Sequence, residues 1–511
     1  MSGLWQDHNL NDNAGMFVEE YGEAEHDRHA TLRFNDISSA GSPARPLDFP
    51  SPEVYRGERV DLRARDHKSG TIHNLKNVLL RCSKHGSKYS SSRRSRPDTA
   101  YLMTKKLART VYGYVNLCIV LRRIDKTKNR RNGSSPKMED RQDHNDKDNT
   151  PFVEWESTDI QAAIKISEWK KIHALRGKHL EDPIKEIAAM QLFGNNHPHV
   201  IKVHEALQDD KCLYTVMPYL GGGDLYGRLV EFTGPRSRSN DLGDDGVAGF
   251  DESSARIWFR QILQAVNLLQ KKGVCHRDIC LENILLNEND NVCLIDPGMS
   301  LRIPYTDSET GGVADVSAGT SRRLMVAQGQ GGKLMYAAPE IIAKETEIDP
   351  FATDLWSVGV VLFIMVVGLA PFKWAHHTDK RFASISTGGL KKVVKGLGIS
   401  ISTEVCDLLQ GFFWADKQKR LTLAEIMCHP WVQGREFVQR PLALPNKQTM
   451  SLGSSKGFSF SSHNLKSKIR GMKQSSNHSC GNRGAKEIDN GATHLESGRR
   501  RFHPLTRRTF R

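Results

Sequence analysis

The chain has 511 residues, enough for about three average domains or for one fold of more than roughly 300 residues with flexible ends. Its formal net charge is +14, but residues 435–511 hold 16 Lys and Arg against four Asp and Glu, so the basic character belongs to the tail and does not describe the rest of the chain. The nine cysteines include no C-x-x-C pair, which argues against a disulfide-stapled secreted protein and favours reduced thiols in the cytoplasm or nucleus.

The two ends of the chain differ in composition from its middle. Residues 1–96 lack sustained hydrophobic periodicity and are rich in Asp, His, Ser and Arg, and no basic segment precedes an apolar run near Met1. We therefore predict a disordered N-terminal region without a signal peptide, one globular domain at 97–433, and a disordered basic tail at 434–511. Polar stretches near 126–158 and 234–250 are predicted to be loop insertions in that domain.

The first predicted elements of the domain are strands followed by a helix. Residues 111–121 contain β-branched residues in loose alternation, which suggests a strand pair, and residues 160–166 are apolar enough for a buried strand. Asp182-Pro183 is a typical helix start, and the helix would run to Phe193.

The later elements are predicted to be mainly helical. Residues 253–271 place apolar side chains at helical spacing, whereas residues 306–332 are small, polar and Gly-rich and predict a flexible loop. Residues 355–372 carry no charge and reach the lower length limit of a membrane-spanning helix. Because Pro371 shortens this helix and Asp354 precedes it, we interpret it as a buried core helix and expect no transmembrane segment.

The most informative stretch is 276–283, which reads His-Arg-Asp-Ile-Cys-Leu-Glu-Asn and is followed by Asp296. It provides a candidate general base, Asp278, and two candidate oxygen ligands, Asn283 and Asp296, of the kind that suits Mg²⁺. The polar run 287–291 between two short apolar runs predicts a hairpin that would hold the two ligands side by side. Each residue alone could be a solvated turn residue, but their joint spacing favours a site.

This stretch resembles the catalytic and metal loops of protein kinases, H-R-D-x-K-x-x-N and D-F-G. The resemblance implies a bilobal protein kinase fold of the α+β class, with a small β-rich N-lobe and a larger helical C-lobe. It also implies that Asp278 accepts the proton of a substrate hydroxyl and that Asn283 and Asp296 bind Mg²⁺. Lys165, at the end of a segment similar to V-A-I-K, would hold the ATP phosphates and pair with Glu186.

The resemblance extends to a pocket for ATP. Residues 217–220 resemble the hinge between the two lobes, and Asp224 resembles the acidic residue near the ribose. Apolar side chains above and below would enclose the adenine, although ordinary core packing would explain them equally well. The implied nucleotide-binding residues are Ala108, Gly113, Val115, Ala163, Lys165, Met217, Tyr219, Leu220, Asp224 and Leu285.

Three further motifs support the same family. Residues 336–340 resemble the end of an activation segment, with Arg420 as the ion-pair partner of Glu340. Asp354 resembles the helix aspartate that holds the backbone of the catalytic loop. His429-Pro430-Trp431 resembles the end of the domain in the calcium/calmodulin-dependent and AMP-activated-like group of Ser/Thr kinases.

Five positions depart from the family pattern, namely Ala108, Thr110, Cys280, Pro297 and Lys333. Ala108 and Thr110 replace glycines of the phosphate-covering loop, which would stiffen the loop and weaken ATP binding. Cys280 replaces the lysine that contacts the γ-phosphate, and Pro297 replaces the phenylalanine of D-F-G. Lys333 replaces the Ser or Thr before A-P-E, and we hypothesise that it stands in for the lysine displaced by Cys280.

Two functions compete for the domain. The whole minimal set is present, which favours a Ser/Thr protein kinase that uses ATP and Mg²⁺ on protein substrates. The five departures favour the alternative, a pseudokinase scaffold that binds nucleotide or partner proteins with little or no catalysis. An upstream activating kinase is expected, because Arg277 could pair with a phosphate on the long segment 296–340.

The basic tail raises a separate hypothesis. Its arginines at 499–501 and 507–508 lie near Phe502 and Phe510, a combination that could bind nucleic acid, anionic lipid or an acidic partner. A solvated tail or a nuclear-import signal explains the same residues. The expected location of the protein is cytoplasmic or nuclear.

Overall fold

The computed structural model describes residues 33–39, 41–82, 98–124, 154–233 and 249–434. The predictions made for residues 1–32, for the tail from 435 onwards and for most of both insertions lie outside these ranges.

The first part of the chain is mainly β-structure. In chain order it contains α1 (Phe34–Ser39), β1 (Tyr55–Arg65), β2 (Ile72–Arg81), β3 (Thr99–Arg109), β4 (Gly113–Arg123), β5 (Trp155–Glu168), α2 (Trp169–Leu175), α3 (Pro183–Phe193), β6 (Glu205–Gln208) and β7 (Cys212–Pro218). The seven strands form a closed barrel in the order β1-β2-β3-β4-β5-β7-β6. Neighbouring strands are antiparallel, except that β1 pairs in parallel with β6, through Tyr55 and Leu207. The other end of β1 makes an additional parallel pairing with β5, where Ala64 is opposite Trp155.

The prediction that residues 1–96 are disordered is wrong for β1 and β2. Val60, Leu62 and Ala64 point inward and alternate with exposed charged residues, which is the period-two pattern of a strand with one solvated face. Because charges occupy the outer face, the average composition of the hairpin is similar to that of a disordered segment. The folded domain therefore begins well before residue 97.

The predicted strand pair within 111–121 is also wrong. This stretch belongs to the single strand β4, which pairs with the preceding strand β3 across a turn at 110–112. The sequence pattern did not show β3, because residues 104–106 are three consecutive polar and exposed residues that interrupt the alternation of apolar side chains.

The second part of the chain is mainly helical. It contains α4 (Leu225–Thr233), α5 (Glu252–Lys271), β8 (Val274–Cys275), β9 (Ile284–Leu286), β10 (Val292–Leu294), β11 (Leu301–Arg302), β12 (Tyr305–Asp307), β13 (Val313–Ala314), β14 (Thr320–Arg322), β15 (Met325–Val326), α6 (Pro339–Ile342), β16 (Glu347–Ile348), α7 (Pro350–Val367), α8 (Lys380–Ile385), α9 (Leu390–Gly396), α10 (Thr403–Phe412), α11 (Leu423–Cys428) and α12 (Pro430–Gln433). Its core joins the apolar face of α5 to α7, α10 and the C-terminal helices.

Helix α7 is the core helix that the uncharged stretch predicted. Its length and composition would allow it to cross a membrane, but 89% of the helix Pro350–Val367 is buried inside the protein. Asp349 caps its first turn by accepting a hydrogen bond from Phe351 N, and Gly368 ends it in the left-handed conformation. Trp356 and Phe363 on this helix pack edge-on against Phe413.

The segment predicted to be a flexible loop, 306–332, has secondary structure. Strands β12, β13 and β14 form a three-stranded antiparallel sheet, and β15 pairs with β16. Its small polar residues occupy the tight turns of this sheet, for example where Asp307 Oδ1 accepts hydrogen bonds from the backbone of Glu309 and Thr310. The composition therefore reflected turns rather than disorder.

Residues 41–54, here called the N-terminal strap, run along this segment. Ala44 N donates to Leu324 O at 3.1 Å, and Val326 N donates to Ala44 O at 2.9 Å. Farther along the strap, Leu47 N donates to Arg302 O at 3.1 Å. The strap thus contacts the segment that follows Asp296 at two places, Arg302 and residues 324–326.

The other end of the strap reaches helix α3. The Gln191 side chain accepts a hydrogen bond from Glu53 N at 2.8 Å and donates one to Glu53 O at 2.9 Å. Val54 then packs in the cluster that contains Ile187 of the same helix. One continuous stretch of chain therefore connects residues 302–326 to α3 and to the first strand of the barrel.

Candidate active site

The hairpin of β9 and β10 forms as its sequence predicted and brings two candidate ligands together. Asn287 Oδ1 accepts hydrogen bonds from the backbone of Asn289 and Asn291, which stabilises the turn. Strand pairing then places Asn283 just before β9 and Asp296 just after β10, with Ile295 N donating to Asn283 O at 2.9 Å. Local turn chemistry alone accounts for this part of the site.

Asp278 lies beside this hairpin with one carboxylate oxygen held and the other open, in the sense that this second oxygen, Oδ1, is buried but has no hydrogen-bond partner among the described residues. Asn283 Nδ2 donates to Asp278 Oδ2 at 2.9 Å and to Asp278 O at 2.8 Å. Burial raises the pKa of Asp278 to about 6, against the lowering effects of Lys333 and Asn283. An open, basic oxygen in a fixed position is suited to accept a proton.

The catalytic loop is held by Asp354 on α7, as the sequence predicted. Asp354 Oδ2 accepts a hydrogen bond from His276 N at 2.6 Å, and its Oδ1 accepts one from Arg277 N at 2.8 Å. Arg277 has a φ angle of 69°, which is uncommon for a residue other than glycine. The two hydrogen bonds to a buried carboxylate stabilise this turn and set the direction of Asp278.

Lys165 on β5 is buried among three carboxylates. Its Nζ lies 2.7 Å from Glu186 Oε2 on α3, 3.2 Å from Asp296 Oδ1 and 3.6 Å from Glu181 Oε1. Burial opposes its charge, but Asp296, Glu186 and Glu181 raise the pKa of Lys165 well above its ordinary value. The ammonium group is therefore permanently charged and fixed between the sheet, the helix and the metal loop.

Glu181 is a site residue that the sequence reasoning missed. It comes just before Asp182, which caps α3 by accepting a hydrogen bond from Ile184 N, and Asp182 N donates to Gly298 O at 3.2 Å. Carboxylate oxygens of Glu181, Glu186 and Asp296 lie within 4.8 Å of one another. The only sequence feature that could have indicated Glu181 is its position just before the helix cap. The contact with Gly298 could not be predicted, because the two segments are more than 100 residues apart in sequence.

The predicted nucleotide-binding residues lie on adjoining strands. Strand pairing places Ala108 opposite Val115, and Val115 opposite Lys165. Ala163 faces Met217, the first of the predicted hinge residues, across β5 and β7. Tyr219 and Leu220 follow β7, and both are partly exposed.

The lower side of the same region is formed by the segment before α4 and by β9. Asp224 makes an isolated bridge with Leu285, the residue predicted below the adenine. Asp224 Oδ1 also accepts a hydrogen bond from Gly227 N at 2.7 Å and so caps α4. Its cap role is a direct observation, whereas its contact with a ribose stays a prediction.

The loop between β3 and β4 is closed by local contacts. Gly113 N donates to Thr110 Oγ1 at 2.9 Å, and Thr110 N donates to Gly113 O at 3.0 Å. A Cβ atom on Gly113 would lie 2.0 Å from Ile166 O, so this position requires glycine. The buried Tyr112 hydroxyl donates to Glu181 O, which anchors the loop beside α3. Tyr112 is a second residue that the sequence reasoning did not identify.

The large helical part is stabilised by a buried ion pair that the sequence predicted. Arg420 donates to the two carboxylate oxygens of Glu340 at 2.7 and 2.9 Å. Both side chains are almost fully buried. This bidentate pair joins the end of the activation segment to the loop before α11.

Comparison with known proteins places this arrangement in a family. Residues 154–432 match the family model described as protein kinase domain. CBL-interacting protein kinase 9 of Oryza sativa subsp. japonica is 32% identical over 210 residues, which cover 41% of this chain and 38% of the relative. Carbon catabolite-derepressing protein kinase of Secale cereale is 31% identical over 304 residues, covering 58% of this chain and 51% of the relative. Serine/threonine-protein kinase kin-29 of Caenorhabditis elegans is 31% identical over 269 residues, covering 53% and 28%.

The chain belongs to the protein kinase family, and the predicted bilobal α+β fold is confirmed. The β-barrel with α3 is the small lobe, and the helical part from α4 onwards is the large lobe. The chain spans about half or less of the length of the relatives named above. The hairpin of β1 and β2 and the N-terminal strap both lie before the matched residues 154–432.

Proposed function

We propose that this chain is a Ser/Thr protein kinase that transfers the γ-phosphoryl group of ATP to hydroxyl groups of protein substrates, with Mg²⁺. The observation that carries the proposal is the state of Asp278, whose Oδ2 is held by Asn283 while its Oδ1 is open. Phosphoryl transfer requires positioning, charge neutralisation and an oriented hydroxyl, rather than covalent chemistry by the protein. The open oxygen meets the last of these requirements.

The residues around Asp278 support the other requirements. The fixed ammonium of Lys165 is suited to hold the α- and β-phosphates, and Glu186 orients it. Asn283 uses its amide nitrogen on Asp278, which leaves its oxygen for a cation, and Asp296 is ionised because Lys165 lowers its pKa despite burial. Two oxygen donors of this kind fit Mg²⁺, which would neutralise phosphate charge when it is bound.

The complete set of Lys165, Glu186, Asp278, Asn283 and Asp296 opposes the pseudokinase alternative. A scaffold would not require an unpaired oxygen on Asp278, nor the three carboxylates that surround the ammonium group of Lys165. The similarity to serine/threonine-protein kinase kin-29 favours hydroxyl groups of serine and threonine as acceptors. Regulation by an upstream kinase remains part of the proposal, with Arg277 as the phosphate partner.

The test is transfer of labelled phosphate from ATP and Mg²⁺ to a basic protein substrate by the full chain. Asp278→Asn and Asp296→Asn are each expected to lower transfer by more than about 100-fold, since one removes the proton acceptor and the other a metal ligand. The matched control is Asp407→Asn, because that side chain is 81% exposed and lies far from the catalytic loop in sequence. Wild-type protein that binds ATP, as judged by a raised melting temperature, but transfers no phosphate even after treatment with an activating kinase would contradict the proposal.

A further inference from the structure

Lys333 approaches the catalytic loop because the residue before it is glycine. Gly332 has φ of +66°, and a Cβ atom there would lie 2.8 Å from both Arg277 O and Asp278 Oδ1. Only glycine allows the activation segment to pass so close to the loop. The backbone that carries Lys333 is therefore packed directly against the proton acceptor.

The ammonium group of Lys333 lies over the position where the catalytic loop has a cysteine. Its Nζ is 2.8 Å from Glu282 Oε1 and 3.4 Å from Cys280 Sγ. Burial alone would lower the pKa of Lys333, but the carboxylates of Glu282 and Asp278 raise it, so the group is charged at neutral pH. Burial raises the pKa of the Cys280 thiol far above neutrality, so position 280 itself is uncharged.

The other cations around Asp278 have different partners. Lys165 is enclosed by three carboxylates, and the Arg277 guanidinium donates to Gln328 O and Gly329 O. The partner of Lys333 is a carboxylate that is about one-third exposed, and an ion pair of this kind is weak. Lys333 is therefore less enclosed by counter-charges than Lys165.

The unpaired oxygen of Asp278 indicates where a substrate hydroxyl would donate its hydrogen bond. Within the described ranges, Asp278 Oδ1 and Glu282 Oε2 are buried and have no hydrogen-bond partner. A substrate hydroxyl that donates to Asp278 Oδ1 would bring its oxygen, and the phosphoryl group that it attacks, next to the Lys333 side chain. Charge on the three equatorial oxygens of that group is what a nearby cation stabilises.

We propose that Lys333, on the activation segment, is a catalytic residue that stabilises the phosphoryl group during transfer, in place of a cation on the catalytic loop. This inference rests on the proposed function. In the step, the bond between the γ-phosphorus and the β–γ bridging oxygen breaks, and ADP leaves with the electron pair. A bond forms between the phosphorus and the substrate oxygen, and the hydroxyl proton passes to Asp278.

The placement has a consequence for control of the enzyme. A lysine within the catalytic loop lies at the active site whenever that loop is folded. Lys333 lies at the active site only when the activation segment is packed at Gly332. Catalytic charge and segment position are therefore coupled in this chain through one residue.

The experiment measures kcat and the KM for ATP of the full-length protein with a saturating basic protein substrate. Lys333→Met is expected to lower kcat by about 100-fold or more and to change the KM for ATP by less than about threefold, because the cation acts on the transition state. Lys333→Arg keeps the charge and is expected to retain at least about a tenth of kcat. The control is Lys392→Met on α9, an exposed lysine, which is expected to behave as wild type.

A double variant tests whether charge, rather than packing, is what Lys333 supplies. Cys280→Lys combined with Lys333→Met places an ammonium group on the catalytic loop. The double variant is expected to have a kcat at least about tenfold higher than that of Lys333→Met alone. If position 280 is too tightly packed for lysine, a lowered melting temperature will show it, and the comparison of Lys333→Arg with Lys333→Met still decides the question.

The outcomes separate this inference from the proposed function. An active wild type with an equally active Lys333→Met overturns the role of Lys333 alone. Equal losses in Lys333→Met and Lys333→Arg, accompanied by reduced stability, indicate a structural role and overturn it as well. A wild type without transfer overturns the proposed function and this inference together.

Discussion

The ammonium of Lys165 on β5 lies 2.7 Å from the carboxylate of Glu186 on α3, and both side chains are almost completely buried. The pair joins the sheet of the small lobe to its helix. Asp296 and Glu181 contact the same ammonium, so one cation compensates three carboxylates. Stability and site geometry therefore depend on the same residue.

We expect Lys165→Met to destabilise the protein by about 3–5 kcal/mol, because it leaves buried carboxylates without a counter-charge. Urea unfolding measures this loss. The matched control is Lys171→Met, whose pair with Glu168 is exposed and should be worth less than about 1 kcal/mol. Adding Glu186→Leu to Lys165→Met should recover part of the stability but none of the phosphate transfer, and a recovery of transfer would contradict the assigned roles.

Gly113, at the start of β4, is predicted to be required for the conformation of the loop between β3 and β4. Gly113→Ala would place Cβ 2.0 Å from Ile166 O, a backbone atom that can move only if β4 and β5 separate. We expect a loss of about 2–3 kcal/mol in urea unfolding and weaker ATP binding. Gly396→Ala is the control, since a Cβ there meets no atom within 4 Å, and equal effects at both sites would refute the explanation.

A carboxylate in the wall of the barrel is expected to make stability depend on pH. Burial raises the pKa of Glu205, although the Tyr101 hydroxyl that donates to it and the nearby Arg81 act in the opposite direction. The folded state then holds this proton more tightly than the unfolded state. The contribution of the group to stability is present below the unfolded pKa and is lost as pH rises through the folded pKa.

Glu205→Gln removes this dependence. We expect the variant to melt at a higher temperature than wild type at pH 8, with the difference shrinking as pH falls towards 4. Glu58→Gln, on the exposed face of β1, serves as the control. A difference that does not vary with pH would mean that packing, not the buried charge, separates the two proteins.

The N-terminal strap is predicted to hold the activation segment. Ala44→Pro removes the N–H that donates to Leu324 O, while Ala44→Ser keeps it and is the matched control. Hydrogen exchange of peptides that cover Arg302 and 324–326 should become at least about tenfold faster in the proline variant only. Unchanged protection would show that the three-stranded sheet β12–β14 is sufficient to order the segment.

Much of the catalytic centre could be predicted because its contacts are local. Asp278, Asn283 and Asp296 lie within 20 residues of one another, and the asparagine-rich turn between β9 and β10 has strong conformational preferences. The long apolar stretch of α7 likewise predicted a core helix. These elements depend on hydrophobic periodicity and turn chemistry, which a single sequence displays directly.

The remaining errors concern segments whose average composition is similar to that of a disordered chain. β1 and β2 carry charges on their outer faces, so average composition concealed the alternating inner residues Val60, Leu62 and Ala64. The segment after Asp296 looked flexible, because small polar residues are typical both of turns in a sheet and of disordered chain.

The sequence by itself identified the catalytic loop through its resemblance to the kinase motif. It also predicted the hairpin from turn chemistry and the core helix from the uncharged apolar stretch, because both signals belong to residues close in the chain. Only the tertiary structure decided that β1 closes the barrel against β6, that the strap joins Ala44 to Val326, and that Glu181 contacts Lys165. These contacts join residues far apart in sequence, and their free energy comes from burial and hydrogen bonds formed only when both partners are already in place. A pattern along one stretch of chain carries no information about such a partner.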